Sequence, residues 1–155
     1  MSDVRKGRQI PTNEVILPYV NSHGKEAIDL YEKSGRSAQE WQQLLINDIL
    51  AYNDEGLWIH TKFGYSVPRR NGKNEVVAIR EIYGLFNGEA MLHTAHRTAT
   101  SSSAFKRLLK LITDSGLKEG DDFKVARQYG LEQIILFETN GSISFRTRTD
   151  TGGLG

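Results

Sequence analysis

The chain contains no cysteine, which excludes disulfides and thiolate metal sites and suits a reducing compartment. It also lacks an excess of either charge. Lys and Arg number 20, Asp and Glu 19, and the net charge is +1, so no global field favours nucleic acid or an anionic membrane. No apolar run approaches the roughly 20 residues that a membrane span needs. The N-terminus carries no apolar core of the signal-peptide kind. The expectation is a soluble protein of the cytoplasm. Its 155 residues suffice for one ordinary domain with a real core.

What is present begins with a polar, basic opening (Arg5, Lys6, Arg8), followed by the short apolar patch Val15-Ile16-Leu17-Pro18-Tyr19-Val20. A weak helix is expected from Lys25 to Lys33, and residues 1–36 read as an N-terminal arm packing on a domain formed by 37–155. Ser37-Ala38-Gln39-Glu40 has capping-box spacing, with Ser37 as the cap. Trp41, Leu45, Ile49 and Tyr52 then trace an apolar helical stripe that ends at Asn53-Asp54-Glu55-Gly56. Within it, Gln42 carries both a donor and an acceptor, which fits the edge of adenine. The plainer reading of Trp41-Gln42 is a core tryptophan beside a solvated glutamine.

From Leu57 to Val67 the odd positions are mostly apolar, the period-2 signature of a strand. Pro68-Arg69-Arg70-Asn71-Gly72-Lys73-Asn74 follows, and then Val76, Ile79, Tyr83 and Phe86 recur at helical spacing. A strand, a turn with Gly-Lys and a helix is the plan of a phosphate-binding loop. Glycine lets backbone N–H groups close on phosphate oxygens, the helix start adds partial positive charge, and lysine reaches the outer phosphates. The usual G-x-x-x-x-G-K-[ST] spacing is met in part, since Val67 replaces the first glycine and Asn74 the Ser/Thr. A plain basic turn between strand and helix is the alternative. Gly24-Lys25 makes a second Gly-Lys pair, but Pro18 interrupts the run before it and Glu26 would repel phosphate.

Further on, Ala90-Met91-Leu92-His93-Thr94-Ala95 reads as a strand. His93 and His96 would point to opposite faces of it, and the expectation is that no carboxylate or cysteine stands nearby to complete a metal set. Thr98 to Ser103 offers helix caps, and Phe105, Leu108, Leu109 and Ile112 form an apolar stripe ending at Gly116. Ile134–Glu138, Asn140-Gly141 and Ser142–Arg148 read as a β-hairpin with a tight Asn-Gly turn. Glu138, at the end of four apolar residues, also imitates the magnesium-holding strand of nucleotide hydrolases, though that strand normally ends in Asp. Asp121-Asp122 reads as loop. The ending, Asp150-Thr151-Gly152-Gly153-Leu154-Gly155, is of a kind that normally leads into another element, and the chain looks cut off there.

Taken in order, Trp41-Gln42, Ser66-Val67-Pro68-Arg69-Arg70-Asn71-Gly72-Lys73-Asn74-Glu75, Leu92-His93-Thr94-Ala95-His96, and Phe145-Arg146-Thr147-Arg148 with Gly152-Gly153 resemble the large terminase subunit of tailed bacteriophages. The similarity covers about residues 15–155 and only the first part of that family's ATPase domain. The resemblance implies an α/β fold, an incomplete P-loop NTPase-like sheet with flanking helices. It implies a motor that uses ATP and Mg²⁺ to pump double-stranded viral DNA into a capsid in the host bacterial cytoplasm. Its partners would be a small terminase subunit and a portal protein, and the full-length chain would be a homo-oligomer without membrane contact.

Carried over by position, Gln42 would read adenine, and Arg70, Asn71, Gly72, Lys73 and Asn74 would surround the phosphates. Arg69 would be catalytic, stabilising charge on the transferring phosphoryl group. Asn74 would contact Mg²⁺ through its amide oxygen, where the family usually has Ser/Thr. Residues 92–96 would lie on the strand beside the loop, where the family couples nucleotide state to DNA grip. The strand ending in Asp-Glu and the nuclease domain are not in this sequence, so the expected behaviour is nucleotide binding with little hydrolysis. A rival class is a non-enzymatic module that holds DNA phosphates with Arg69, Arg70, Lys73, Arg146 and Arg148. An inactive prophage remnant is a further alternative.

Overall fold

The computed structural model describes residues 7–148. The elements in chain order are β1 (Asn21–Ser22), α1 (Gly24–Glu32), α2 (Glu40–Ile49), β2 (Ala51–Tyr52), α3 (Lys73–Phe86), β3 (Ala90–Ala95), α4 (Thr98–Asp114), β4 (Phe123–Ala126), β5 (Gln133–Leu136) and β6 (Ser142–Thr147). The fold is mixed α/β, with four helices and two sheets among the described residues. β1 and β2 form a small antiparallel pair. The main sheet runs β3-β6-β5-β4, with β3 parallel to β6 and the other neighbours antiparallel.

Strand periodicity decides which face of that sheet is covered. Ile134 and Leu136 on β5, Ile143 and Phe145 on β6, and Phe123 on β4 are all buried, whereas Leu92 on β3 and Lys124 on β4 are exposed. Both long helices lie on the buried face. The Phe105 ring of α4 meets Phe145 edge to face at 5.7 Å, and Glu81 of α3 reaches His93, the register partner of Phe145. Along α3, Gly84 lies against Met91 and Glu81 against His93. The helix therefore runs antiparallel to β3, and its first residues sit at the carboxyl ends of the parallel strands. The helix inside the expected arm packs into the same core, through Ala27, Ile28 and Tyr31. Segment 7–20 is tied to α2 by Gln9 Oε1, which accepts from the Trp41 N–H at 3.3 Å, and by Tyr19 Oη donating to Asp48 at 2.7 Å.

Several local expectations are corrected. The strand expected from Leu57 to Val67 does not form. Only a bridge between Tyr52 and Trp58 is present, with Leu57 and Trp58 exposed and the rest irregular up to the turn. Alternation prepares one face of a strand, but β2 is only two residues long and pairs with the start of this segment alone, so among the described residues no ladder continues past Ile59. Ser37 does not cap α2. The helix starts three residues later at Glu40, and the box is made by Gln39 and Gln42. The turn between β5 and β6 is not a two-residue one. Leu136 N–H donates to Gly141 O at 2.8 Å across a loop containing Phe137, Glu138, Thr139 and Asn140, with Asn140 left-handed at φ 59°. Thr98–Ser103 lies inside α4 rather than capping it, and Arg97 is the N-cap residue. Asp121-Asp122 lies in a turn, as expected. Residues Asp150–Gly155, including Gly152-Gly153, lie outside the described residues. No helix among the described residues is long and apolar enough to cross a membrane.

Candidate functional site

The turn before α3 is built by fixing backbone, not by burying side chains. Arg70 and Gly72 both have left-handed backbone, φ 64° and 83°, a conformation that costs glycine little and arginine more. Asn71 Nδ2 donates to the Pro68 and Arg69 carbonyls, both at 3.1 Å, and so ties the turn to itself. Tyr65 Oη donates to Lys73 O at 2.7 Å. Burial, and then the charge of Glu81, push the Tyr65 hydroxyl up to about 12.

Gln42 is the clasp. It is buried at 3% exposure; its Oε1 accepts from the Gln39 N–H at 2.8 Å and its Nε2 donates to Gly72 O at 3.0 Å. One amide thus closes the start of α2 and holds the turn in front of α3. A Cβ at residue 72 would stand 2.9 Å from that Nε2, a second reason for glycine besides its φ.

The start of α3 has no side-chain cap, and among the described residues no hydrogen bond engages the Lys73 and Asn74 N–H groups. Two free donors and the helix dipole therefore face outward at a turn carrying exposed Arg69, Arg70 and Lys73, none of which is in an ion pair within the described residues. This arrangement can accept an anion. Glu75 in the same helical turn would oppose one, but it is engaged. Tyr31 Oη donates to its Oε2 at 2.5 Å, and Arg107 Nε lies 4.0 Å from its Oε1. Burial first, and then the hydrogen bond to Glu75, raise the Tyr31 hydroxyl.

The structure thus brings Gln42, Gly72 and Lys73 together and leaves Arg69, Arg70, Asn71 and Asn74 exposed around them. Asn74 also opens onto a cleft of about 410 Å³ between α3 and α4, whose floor holds Glu81 and His93. The separation of Glu81 Oε1 from His93 Nδ1 is 2.9 Å, so His93 does meet a carboxylate, supplied by another element. Glu81 Oε2 is buried, with no partner among the described residues. Burial pushes the Glu81 carboxyl above the usual range, while His93 and Arg80 pull it back. The one signal for this pair in the sequence is an acidic residue standing between Ala78 and Leu85, three and four positions away on the buried side of the helix.

No group of three or more His, Cys, Asp or Glu gathers as a metal set among the described residues. His96 is exposed and takes no part with His93. Glu138 is exposed in the β5–β6 loop. Comparison with family models, with curated proteins and with solved structures returns no match.

Proposed function

We propose that the turn at Gly72-Lys73 binds the phosphates of ATP, and that the chain is the front part of the ATPase domain of a tailed-phage DNA-packaging terminase. One observation carries the phosphate part. An uncapped helix start lies at the carboxyl ends of the parallel strands, behind a left-handed glycine whose carbonyl is clasped by Gln42. Outside the carboxyl ends of strands is where open α/β sheets hold their ligands, and free N–H groups with a neighbouring lysine fit phosphate oxygens.

In this reading the Lys73 and Asn74 N–H groups and the Lys73 ammonium hold phosphate oxygens, and Arg69 and Arg70 add charge from the rim. Gln42 already uses one donor and one acceptor on its own chain, which leaves one N–H and one lone pair for an adenine edge. Asn74 offers a single amide oxygen to Mg²⁺, and the nucleotide's phosphates would supply the other ligands besides water. Bound there, Mg²⁺ would neutralise charge on the phosphates. The strand ending in Asp-Glu that would help hold Mg²⁺ and position water is not in this sequence, so turnover is expected well below the order of 1 per second. DNA, the small subunit, the portal and oligomer formation belong to the full-length terminase in this reading.

The test is calorimetric titration of the whole chain with Mg-ATP and with ADP. The expected result is saturable binding in which the two compete and which Lys73→Ala weakens at least tenfold. Indifference to Lys73→Ala would overturn the reading. The second reading, DNA-phosphate binding, is favoured by Arg69, Arg70 and Lys73, which are exposed and form no ion pair among the described residues. It predicts affinity for duplex DNA that falls steeply with salt and ignores ATP.

A further inference from the structure

The two edges of the main sheet are built differently. At β4, Gly120 N–H donates to the Phe123 carbonyl at 2.8 Å, Glu119 forms a bridge with Phe123, and exposed Lys124 adds a charge. A covering segment and a lysine are two of the usual defences of an edge against strand pairing. β3 has neither among the described residues, and its six residues include no Lys, Arg, Asp, Glu or Pro. Which of its backbone groups lie open follows from the ladder with β6. Ser142 N–H donates to Glu89 O at 2.9 Å, and Arg148 N–H to Ala95 O at 2.8 Å. In a parallel pair every second residue bonds the same neighbour, so Met91, His93 and Ala95 turn their backbone groups to β6. Ala90, Leu92 and Thr94 turn theirs to the open edge, where no backbone hydrogen bond among the described residues meets them. Their side chains stand on the sheet face away from α3 and α4, with Leu92 59% exposed.

We propose that β3 pairs antiparallel with β3 of a second copy of this chain, about a two-fold axis at Leu92. The outward residues are spaced evenly about Leu92, so the strand matches itself in this register. Leu92 exchanges N–H···O bonds with the partner's Leu92, and Ala90 does so with the partner's Thr94. A register shifted by two residues sets Ala90 or Thr94 against residues outside the strand. The antiparallel direction also keeps the exposed Arg97 of each copy at opposite ends of the contact. It brings Leu92 beside the partner's Leu92 on the uncovered face, which removes apolar surface from water. This self-matching favours a second copy over an unrelated peptide, and a two-fold contact closes on itself at the dimer. The contact is short, so the dimer belongs to the weak class that buries less than about 1,200 Å².

The chain has no cysteine, so single introduced cysteines report the register directly. Residues facing each other in a hydrogen-bonded antiparallel pair have Cα atoms about 5.5 Å apart, within the roughly 4.4–6.8 Å that a disulfide spans. Leu92→Cys, Ala90→Cys, Thr94→Cys and, on the opposite edge, Lys124→Cys are oxidised with copper phenanthroline. The chain is kept near about 0.5 mM to suit a weak contact. Mass spectrometry separates mixed from like dimers, and circular dichroism checks that each variant folds as the native chain does. Leu92→Cys alone, and Ala90→Cys mixed with Thr94→Cys, should cross-link at least about tenfold faster than Ala90→Cys, Thr94→Cys or Lys124→Cys alone. Should Thr94→Cys fail to fold, Leu92→Cys against Ala90→Cys and Lys124→Cys decides the case. Ala90→Cys cross-linking with itself as fast as Leu92→Cys does would overturn the register, and Lys124→Cys doing so would reduce the contact to random collision. The absence of any dimer from Leu92→Cys would overturn the pairing itself.

Discussion

Gln42 shows how one side chain can connect two elements. Its oxygen closes the start of α2, and its nitrogen holds the carbonyl of Gly72, thirty residues later. Replacing it with alanine removes both bonds and leaves the Gln39 N–H and the Gly72 carbonyl to find other partners. Gln42→Ala should lower stability by about 1–3 kcal/mol in urea titrations, and should loosen the turn and thereby weaken any phosphate binding there. An unchanged midpoint would mean that water replaces both bonds without loss. Glu81 makes a second prediction at this scale, with the sign set by burial. Its carboxyl is raised, so the folded chain holds this proton more tightly than the unfolded chain, whose value lies near 4.5. His93, which bonds the carboxyl, and the charge of Arg80 reduce this effect without reversing it. Stability from this group is greatest at low pH and falls as pH rises from about 4.5 through the folded value. Glu81→Gln abolishes that dependence. Thermal melts should show the variant gaining on the native chain as pH rises above about 4.5. A constant difference would show that the carboxyl is not raised.

At the scale of elements, α3 organises the molecule from both of its ends. Its start carries the turn, and its last turn receives the β5–β6 loop. There Thr139 Oγ1 donates to Leu85 O at 2.5 Å, and Gly141 passes so close that a Cβ would collide with the Leu85 carbonyl. Because backbone meets backbone, neither side can yield cheaply. Gly141→Ala should therefore destabilise by more than about 2 kcal/mol, whereas Gly84→Ala, which meets only the flexible ends of Met91 and Glu89, should cost less. Equal costs in denaturant titrations would remove this account of the seam. The same elements show what was legible in the sequence. The helices α3 and α4, the strand β3 and the β5–β6 hairpin each declare themselves by periodicity within their own residues. The Leu57–Val67 segment has the alternation of a strand but meets β2 only at its first residues, and pairing is a property that no single stretch contains. The Glu81–His93 contact joins positions twelve apart on different elements, so each residue alone reads as ordinary. The capping box was legible as a type of signal but shifted in place. Gln39 and Gln42 can exchange the same two bonds that Ser37 and Glu40 could have made.

For the whole molecule, the decisive feature is that, among the described residues, helices cover the main sheet on one face. Leu92 stands 59% exposed on the other, and β3 forms an outer edge of the sheet with no charged residue from Ala90 to Ala95. Natural edges are usually protected by charge, proline or a covering element. An uncharged edge beside an exposed leucine should pair with another chain, and the described structure has nothing to prevent it. Sedimentation velocity should therefore show association of this chain that increases with concentration. Leu92→Lys puts a charge on the uncovered face next to that edge without touching the core, so it should reduce the association while leaving the melting temperature within a few degrees. Should the native chain remain monomeric throughout, the edge is protected in solution by something other than its own sequence. If Leu92→Lys instead lowers the melting temperature sharply, that face of the sheet is part of a packed interior in solution.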